Sequence, residues 1–211
     1  MLGSNAARGL RGLRIAIPAL VLAASLPLGG CVTAYVANTL PDVKPGDYHK
    51  PTSPAPVQML FTWQTKGTVN SRAQDLVGPE VNSTVTTSGL FSTVSKDPAP
   101  NGALLSITIN NEPITSEGEA VGKGFLTGLT LGLAGSQVAD GYTCTVDYYP
   151  AQGAPKLTHI THQVILATIG AHSSPDAATK APSVKDAVLT ITRRAVGNAL
   201  KNLSEDPAFA R

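Results

Sequence analysis

The chain contains little cysteine, few aromatic side chains and little charge. Its 211 residues include 2 cysteines, 1 Trp, 5 Tyr and 4 Phe, and only 14% of them are charged, against about 25% in an average protein. So few aromatic rings leave no evident platform for carbohydrate. The formal net charge is +2, and such a balanced chain lacks the basic surface typical of a nucleic-acid-binding protein. The sequence also has no Gly-x-Ser-x-Gly elbow of the kind that carries a nucleophilic serine.

Acidic residues are absent from the first fourteen positions, which carry three arginines, Arg8, Arg11 and Arg14. An apolar run from Ile15 to Leu28 follows. As a helix this run would extend about 21 Å, which is too short for a hydrocarbon core of about 30 Å. A basic start, a short apolar run and small residues predict a signal peptide over residues 1–30.

The apolar run ends in Leu28-Gly29-Gly30-Cys31. This motif resembles the lipobox of bacterial lipoproteins. The resemblance implies that Cys31 is the lipidation site: its sulfur receives diacylglycerol, the leader is removed before it, and the new amine is acylated, typically with palmitate. Val32 stands where an inner-membrane retention signal would have Asp, so the resemblance implies the periplasmic face of the outer membrane. An ordinary secretory leader and an N-terminal membrane helix are the alternatives.

With Cys31 acylated, Cys144 is the remaining thiol, and no intramolecular disulfide can form. Cys144 alternates with apolar residues in a predicted strand, which favours a small buried side chain over a reactive thiol.

Residues 31–56 are rich in proline, and this composition predicts a semi-extended tether. Such a tether would hold a domain some tens of Å from the bilayer, at roughly 3.1 Å per residue. The alternative is that Tyr35 and Tyr48 dock parts of the segment onto the body. The periplasmic domain itself is predicted over residues 57–211.

Hydrophobic periodicity within 57–211 predicts strands separated by two helices. The first helix is capped by Asn70 or Ser71 and runs to about Ser88, with a kink or a late start at Pro79. The second is capped by Ser183 and ends near Leu203. The predicted strands are 57–64, 91–95, 103–109, 142–149 and 157–169, and the loop 170–182 precedes the second helix. This order predicts an α+β two-layer sandwich, with a mostly antiparallel or mixed sheet of about five strands and both helices on one face.

The order of elements, together with the lipid anchor, resembles the periplasmic sandwiches of the lipopolysaccharide-assembly lipoprotein, the N-terminal domain of the Tol-system beta-propeller protein and the curli-secretion lipoprotein. The resemblance covers about 150 residues. It includes no shared catalytic or binding motif, so it transfers no functional residue.

The segment 122–135 is rich in glycine and leucine, and three hypotheses compete for it. Its glycine spacing does not match a phosphate-binding loop. Gly124, Gly128 and Gly132 stand four apart, a spacing that lets helices approach closely, so the segment is a candidate for self-association or membrane contact. The third hypothesis is a crossover whose leucines pack on the core.

Residues that could carry chemistry do not converge. His159 and His162 lie three apart in a predicted strand, so they point to opposite faces and cannot share one metal ion. Asp140 and Asp147 are about 23 Å apart along another strand, too far for a pair of catalytic carboxylates. Glu112, Glu117 and Glu119 are predicted on a solvated loop, and Arg193 and Arg194 on the polar side of the second helix.

We therefore predict no catalytic residue, no cofactor and no metal. The predicted function is that of a lipid-anchored cell-envelope lipoprotein with a non-catalytic scaffold, assembly or maintenance role. Its partners would be the membrane, through the anchor, and an envelope protein or a second copy. The alternative is an oligomeric secretion or pore-associated subunit that associates through segment 122–135.

Overall fold

The computed structural model describes residues 32–114, 137–150, 155–169, 175 and 177–209. The predicted signal peptide 1–30, the predicted lipidation site Cys31 and the Gly-rich segment 122–135 lie outside the described residues.

Eight strands and two helices are present within those ranges. They are β1 (Val32–Ala37), β2 (Val57–Thr65), β3 (Thr68–Val69), α1 (Ser71–Ser88), β4 (Val94–Ser95), β5 (Leu104–Ile114), β6 (Gln137–Tyr149), β7 (Leu157–Ile169), β8 (Ala178–Lys180) and α2 (Val184–Glu205).

All eight strands belong to one mixed sheet. Its order is β3-β2-β5-β6-β7-β1-β8, and β4 pairs with β2 off this path. β2 is parallel to both β5 and β4, whereas the other neighbours are antiparallel. β6 and β7 are antiparallel neighbours in the sheet, with Cys144 opposite Thr161.

The main core lies between this sheet and the two helices. Alternate residues of the central strands, such as Ile107, Ile109 and Val146, are fully buried there, as the period of two predicts. Cys144 belongs to the same core as a free, fully buried cysteine. Burial raises the pKa of its thiol to about 12, so the prediction of a small buried side chain is confirmed.

Both helices begin at the predicted caps. The Asn70 side chain accepts a hydrogen bond from the Ala73 amide, and the Ser183 side chain accepts one from the Asp186 amide. α1 starts at Ser71 and continues through Pro79, so a late start at Pro79 is wrong. It ends at Gly89, whose φ of 69° is the left-handed conformation that favours glycine after a helix.

The α+β class, with two helices on a mixed sheet, is confirmed, but the sheet has eight strands rather than about five. The three unpredicted strands, β1, β3 and β8, are two to six residues long. Segments this short contain too few residues to show the alternation of apolar and polar side chains from which the other strands were predicted. β8 falls in the stretch predicted as a loop, and β1 in the stretch predicted as a tether.

The predicted tether is folded onto the domain. Its first part, β1, lies inside the sheet between β7 and β8, with Val32 opposite Ile169 and Tyr35 opposite Lys180. Residues Ala34–Ala37 are buried. The sheet therefore includes residues before position 57, because β1 forms backbone hydrogen bonds on both of its edges.

The rest of this stretch, residues 38–56, is called the wrapping segment below, and its part from Pro41 to His49 packs along α2. Its Tyr48 is 7% exposed, as in the docking alternative. The Asn198 side chain donates to the Pro41 carbonyl, and the His49 amide donates to the Ser204 hydroxyl. The prolines exclude helix and sheet interior here but do not prevent packing.

An ionic cluster fastens the wrapping segment to the helices. Asp42 lies 3.1 Å from Arg193 and 3.2 Å from Arg194, and Arg193 also lies 3.5 Å from Glu80 of α1. Burial raises the pKa of the Asp42 carboxyl, but the hydrogen bonds from Arg194 and Arg193 outweigh burial and hold the pKa below its usual value.

We expect Asp42→Asn to lower the free energy of unfolding by about 0.5–1 kcal/mol at neutral pH, the usual scale for a partly exposed pair. Because the folded-state pKa of Asp42 is depressed, its contribution is present above the unfolded-state pKa of about 3.9 and is lost as the pH falls through the folded-state value. Urea unfolding at neutral pH and at about pH 3 measures this difference.

Asp97→Asn is the matched control, since Asp97 is exposed and has no ion-pair partner among the described residues. An Asp42→Asn variant as stable as the Asp97→Asn control at neutral pH would show that the cluster does not hold the segment.

Candidate functional site: an open strand edge beside α1

The outer edge of β2 is paired at its two ends and open between them. β4 pairs with Val57 and Gln58, and β3 pairs with Gln64 and Thr65. Residues 59–63 form ladder pairs with β5 alone. In the described part of the sheet, this is a gap flanked by two short strands.

Hydrogen bonds at the start of β2 show which backbone groups face the gap. The Gln58 amide donates to the Ala103 carbonyl on the β5 side, whereas the Val57 amide donates to the Thr93 carbonyl on the opposite side. Since amides alternate along a strand, those of Met59 and Phe61 point away from β5.

Trp63 has the same orientation, but its backbone is already paired. Its amide donates to the Gln74 side chain at 3.3 Å, and its carbonyl accepts from the Asn70 amide at 2.9 Å. The open stretch therefore presents the N–H and C=O groups of Met59 and Phe61.

A groove of about 660 Å³ lies over this open stretch. Met59 and Phe61 contribute from β2, and Lys96 contributes from the residue after β4. The wall is formed by residues of α1 that lie on one side of the helix: Gln74, Asp75, Gly78, Pro79 and Asn82. We call this the β2 edge groove.

Two residues of that wall are unfavourable inside a helix. Glycine costs about 1 kcal/mol and proline about 3 kcal/mol relative to alanine. Core packing does not explain Gly78, because a Cβ built there has no atom within 4 Å. Pro79 cannot donate to the Asp75 carbonyl one turn earlier. Such breaches of local preference are expected at functional sites.

The β2 edge groove carries one charge of each sign. Asp75 and Lys96 are both exposed, and neither has an ion-pair partner within the described ranges. Lys96 is near the start of β2, since the Gln58 side chain donates to its carbonyl. Asp75 lies toward the end of β2, next to Gln74 and its contact with Trp63.

The two histidines lie on opposite faces of β7, as predicted. His159 is 3.3 Å from the Asp206 carboxylate at the end of α2, whereas His162 is 3.3 Å from the Thr143 hydroxyl. Burial lowers the pKa of His162. No group of three His, Cys, Asp or Glu side chains within the described ranges is arranged to hold a metal ion.

The predicted carboxylates and arginines are also separate. Asp147 pairs with Lys156 at 3.1 Å and accepts from the Thr158 hydroxyl. Asp140, seven residues earlier on β6, is half-buried, and burial raises the pKa of its carboxyl. Glu112 accepts a hydrogen bond from the Asn110 side chain. Arg193 and Arg194, predicted on the polar side of the second helix, both bind Asp42.

Aromatic rings form structural contacts. Phe91, Tyr148 and Phe209 surround one another with centroids 5.2–5.9 Å apart, and each is under 10% exposed. Trp63 contacts Tyr142 at 5.9 Å. These rings pack in the core rather than forming a flat exposed surface.

The predicted functional residues Cys31, Gly124, Gly128 and Gly132 lie outside the described residues, as do Glu117 and Glu119. No motif or period in the sequence predicted the β2 edge groove. The Gly78-Pro79 pair within a helical pattern was its one available signal. Within the described residues, no helix has the length and apolar character needed to cross a membrane.

Comparisons with known proteins assign no family. No family model and no curated protein matches the chain. A crystal structure of a candidate lipoprotein from Caulobacter crescentus is similar at 11% identity and a TM-score of 0.33, covering 73% of this chain and 87% of that one. The PelC dodecamer from Paraburkholderia phytofirmans is similar at 12% identity and a TM-score of 0.30, covering 81% and 96%. Superpositions this poor carry no argument about function.

We expect Gly78→Ala to raise the free energy of unfolding by about 0.5–1 kcal/mol, because alanine favours helix and its methyl group would enter open space. Gly89→Ala, at the end of the same helix, should lower stability, since it forces a left-handed alanine whose Cβ would lie 3.1 Å from Lys50. Urea denaturation of both variants tests the pair. A destabilised Gly78→Ala variant would contradict the open space in the β2 edge groove.

Proposed function

We propose that the chain is a lipid-anchored lipoprotein of the bacterial envelope with a non-catalytic scaffold or assembly role. One observation carries the proposal: the lipobox cysteine directly precedes the first strand of the domain. Cys31 is followed at once by Val32, the first residue of β1.

This adjacency determines how an anchored domain would sit. β1 begins where β7 ends, because Val32 pairs with Ile169, and Gln137 at the start of β6 pairs with Thr168. We call this the Val32 end of the sheet. With one residue spanning about 3.3 Å, acyl chains on Cys31 would hold the Val32 end against the bilayer surface rather than tens of Å away.

Exposed apolar side chains at the Val32 end support this arrangement. Val32 is 53% exposed, Val138 near the start of β6 is 49% exposed, and Val184 at the start of α2 is 51% exposed. The backbone bond from Ala181 to Ala34 places the start of α2 near β1. Apolar side chains beside the anchor add to the membrane affinity of the fatty chains, which contribute about 0.8 kcal/mol for each buried CH₂.

The non-catalytic role is supported by the structural contacts that the described charged side chains make. Asp42, Asp147 and Asp206 each contact a basic side chain from another part of the chain. These contacts fasten segments of the fold to one another. The proposed location is the periplasmic face of the outer membrane, because Val32 stands where an inner-membrane retention signal would have aspartate.

We expect Cys31→Ser to abolish incorporation of a palmitate analogue and to leave the leader attached, because serine lacks the sulfur that accepts diacylglycerol. The full chain is expressed in a bacterial host, labelled with the fatty-acid analogue, and examined by gel fluorescence and intact mass.

Cys144→Ala is the matched control, since it removes the other cysteine and should keep full labelling. Label on the Cys31→Ser variant would overturn the anchor. Turnover of an envelope substrate by the purified chain, lost on a single polar substitution, would overturn the non-catalytic role.

A second candidate function is an oligomeric secretion or pore-associated subunit that associates through segment 122–135. The observation in its favour is the position of the strand ends that flank the segment. Ile114 at the end of β5 pairs with Ala139, two residues after the start of β6, so both strand ends lie at the Val32 end. The two strand ends that flank the segment therefore lie on the side of the proposed anchor.

If this second function holds, Gly128→Val should reduce the oligomer extracted in detergent to smaller species, because a branched side chain prevents close approach at a small-residue contact. Light scattering coupled to gel filtration measures the mass. Gly46→Val is the control, since Gly46 is exposed in the wrapping segment with open space around it. A wild-type monomer, or an oligomer unchanged by Gly128→Val, would eliminate this function.

A further inference from the structure

We propose that the β2 edge groove binds an extended peptide that adds a strand to β2, antiparallel to it, with a basic side chain toward Asp75 and an acidic one toward Lys96. This site lies on the opposite edge of the sheet from β8 and does not depend on acylation of Cys31.

The backbone of β2 determines the conformation of the occupant. Met59 and Phe61 offer two N–H donors and two C=O acceptors along one line, in the spacing of a β-ladder. An extended chain satisfies both kinds of group at once, whereas a helix has already used its own backbone groups. Peptides that add a strand to an open edge gain affinity from these main-chain bonds and specificity from side-chain contacts.

The flanking strands determine its length. β4 occupies the edge up to Gln58, and β3 begins at Gln64. Six residue steps separate these two positions, or about 20 Å at 3.3 Å per residue. The groove therefore accepts about four or five residues in ladder contact, and it selects a short motif rather than a long strand.

The wall of α1 provides the side-chain contacts. Alternate side chains of an added strand would face the helix-bearing side, where Met59 is 8% exposed and Phe61 is partly buried. Gly78 presents no side chain at this point, which leaves room for a small apolar side chain of the peptide. The occupant should therefore alternate, with its basic residue, one small apolar residue and its acidic residue facing α1, and with polar residues between them facing the solvent.

The two charges of the groove determine the order of charged residues in a peptide that runs antiparallel to β2. Lys96 lies toward the start of β2 and Asp75 toward its end, and neither is neutralised by another described residue. A peptide whose first residue is basic and whose last is acidic matches both charges when it runs antiparallel to β2. Antiparallel pairing is also slightly the more stable per residue.

The test uses the full chain, purified in detergent, and a fluorescein-labelled probe of sequence Lys-Thr-Val-Thr-Glu with blocked ends. Fluorescence anisotropy at low salt measures binding, and amide hydrogen exchange locates it. We expect saturable binding at a probe concentration below about 1 mM. On binding, exchange should slow at the Met59 and Phe61 amides, while Leu60 and Thr62, already bonded to β5, stay unchanged.

Two variants test the wall and the charge. Gly78→Leu fills the space over β2, and Asp75→Lys reverses the charge that meets the basic residue; each should weaken binding about tenfold. Ser83→Leu and Ser83→Lys make the same changes at an exposed position of α1 outside the groove and should bind like the wild type. A probe N-methylated at its valine and its glutamate should bind more weakly, since it lacks donors for the β2 carbonyls.

Three results would overturn the proposal. The first is no anisotropy change up to about 1 mM probe. The second is binding that Gly78→Leu and Ser83→Leu affect equally. The third is protection of the Met59 amide that rises with protein concentration in the absence of probe, which would show that a second copy occupies the edge.

Discussion

The ladder between β1 and β7 is the constraint on which the organisation of this molecule depends. It places the first described residue, Val32, within the sheet at the end where β7 stops. It also starts the wrapping segment beside α2, where Tyr48 and the Asp42 cluster hold it. A lipid on Cys31 would consequently act on the sheet directly, and the proposed anchor would determine the orientation of the domain as well as its location.

The opposite edge of the sheet has a different physical character. Open strand edges promote unwanted pairing, and proteins usually shorten or cover them. Here β3 and β4 cover the two ends of β2 and leave the middle beside α1. The wall contains glycine and proline where a helix would be more stable with other residues. β3 and β4 restrict pairing to the middle of β2, and the helix beside it keeps a glycine and a proline that lower its stability. This edge therefore has the features of a binding site of limited length.

The two regions are compatible with one scaffold. The core beneath both helices is contiguous, with residues from β2, β5, β6, α1 and α2. The described ionic contacts connect the wrapping segment to α2, and α2 to α1. The proposed anchor point at the Val32 end and the groove at the outer edge of β2 thus lie at different places on one packed sheet. An anchored scaffold needs this separation, since the strand ends can lie near the membrane while the edge of β2 stays accessible to a partner.

Local patterns in the sequence determined much of the architecture. Alternation defined β2, β5, β6 and β7, and the caps at Asn70 and Ser183 defined the starts of both helices, because each depends on residues close together in the chain. The burial of Cys144 and the opposite directions of His159 and His162 followed from the same alternation. Only the tertiary structure decided that β1 joins the sheet, that Arg193 and Arg194 hold Asp42, and that Gly78 and Pro79 lie over an open strand edge. These features depend on contacts between residues up to 152 positions apart, and no local period or spacing encodes a contact of that range.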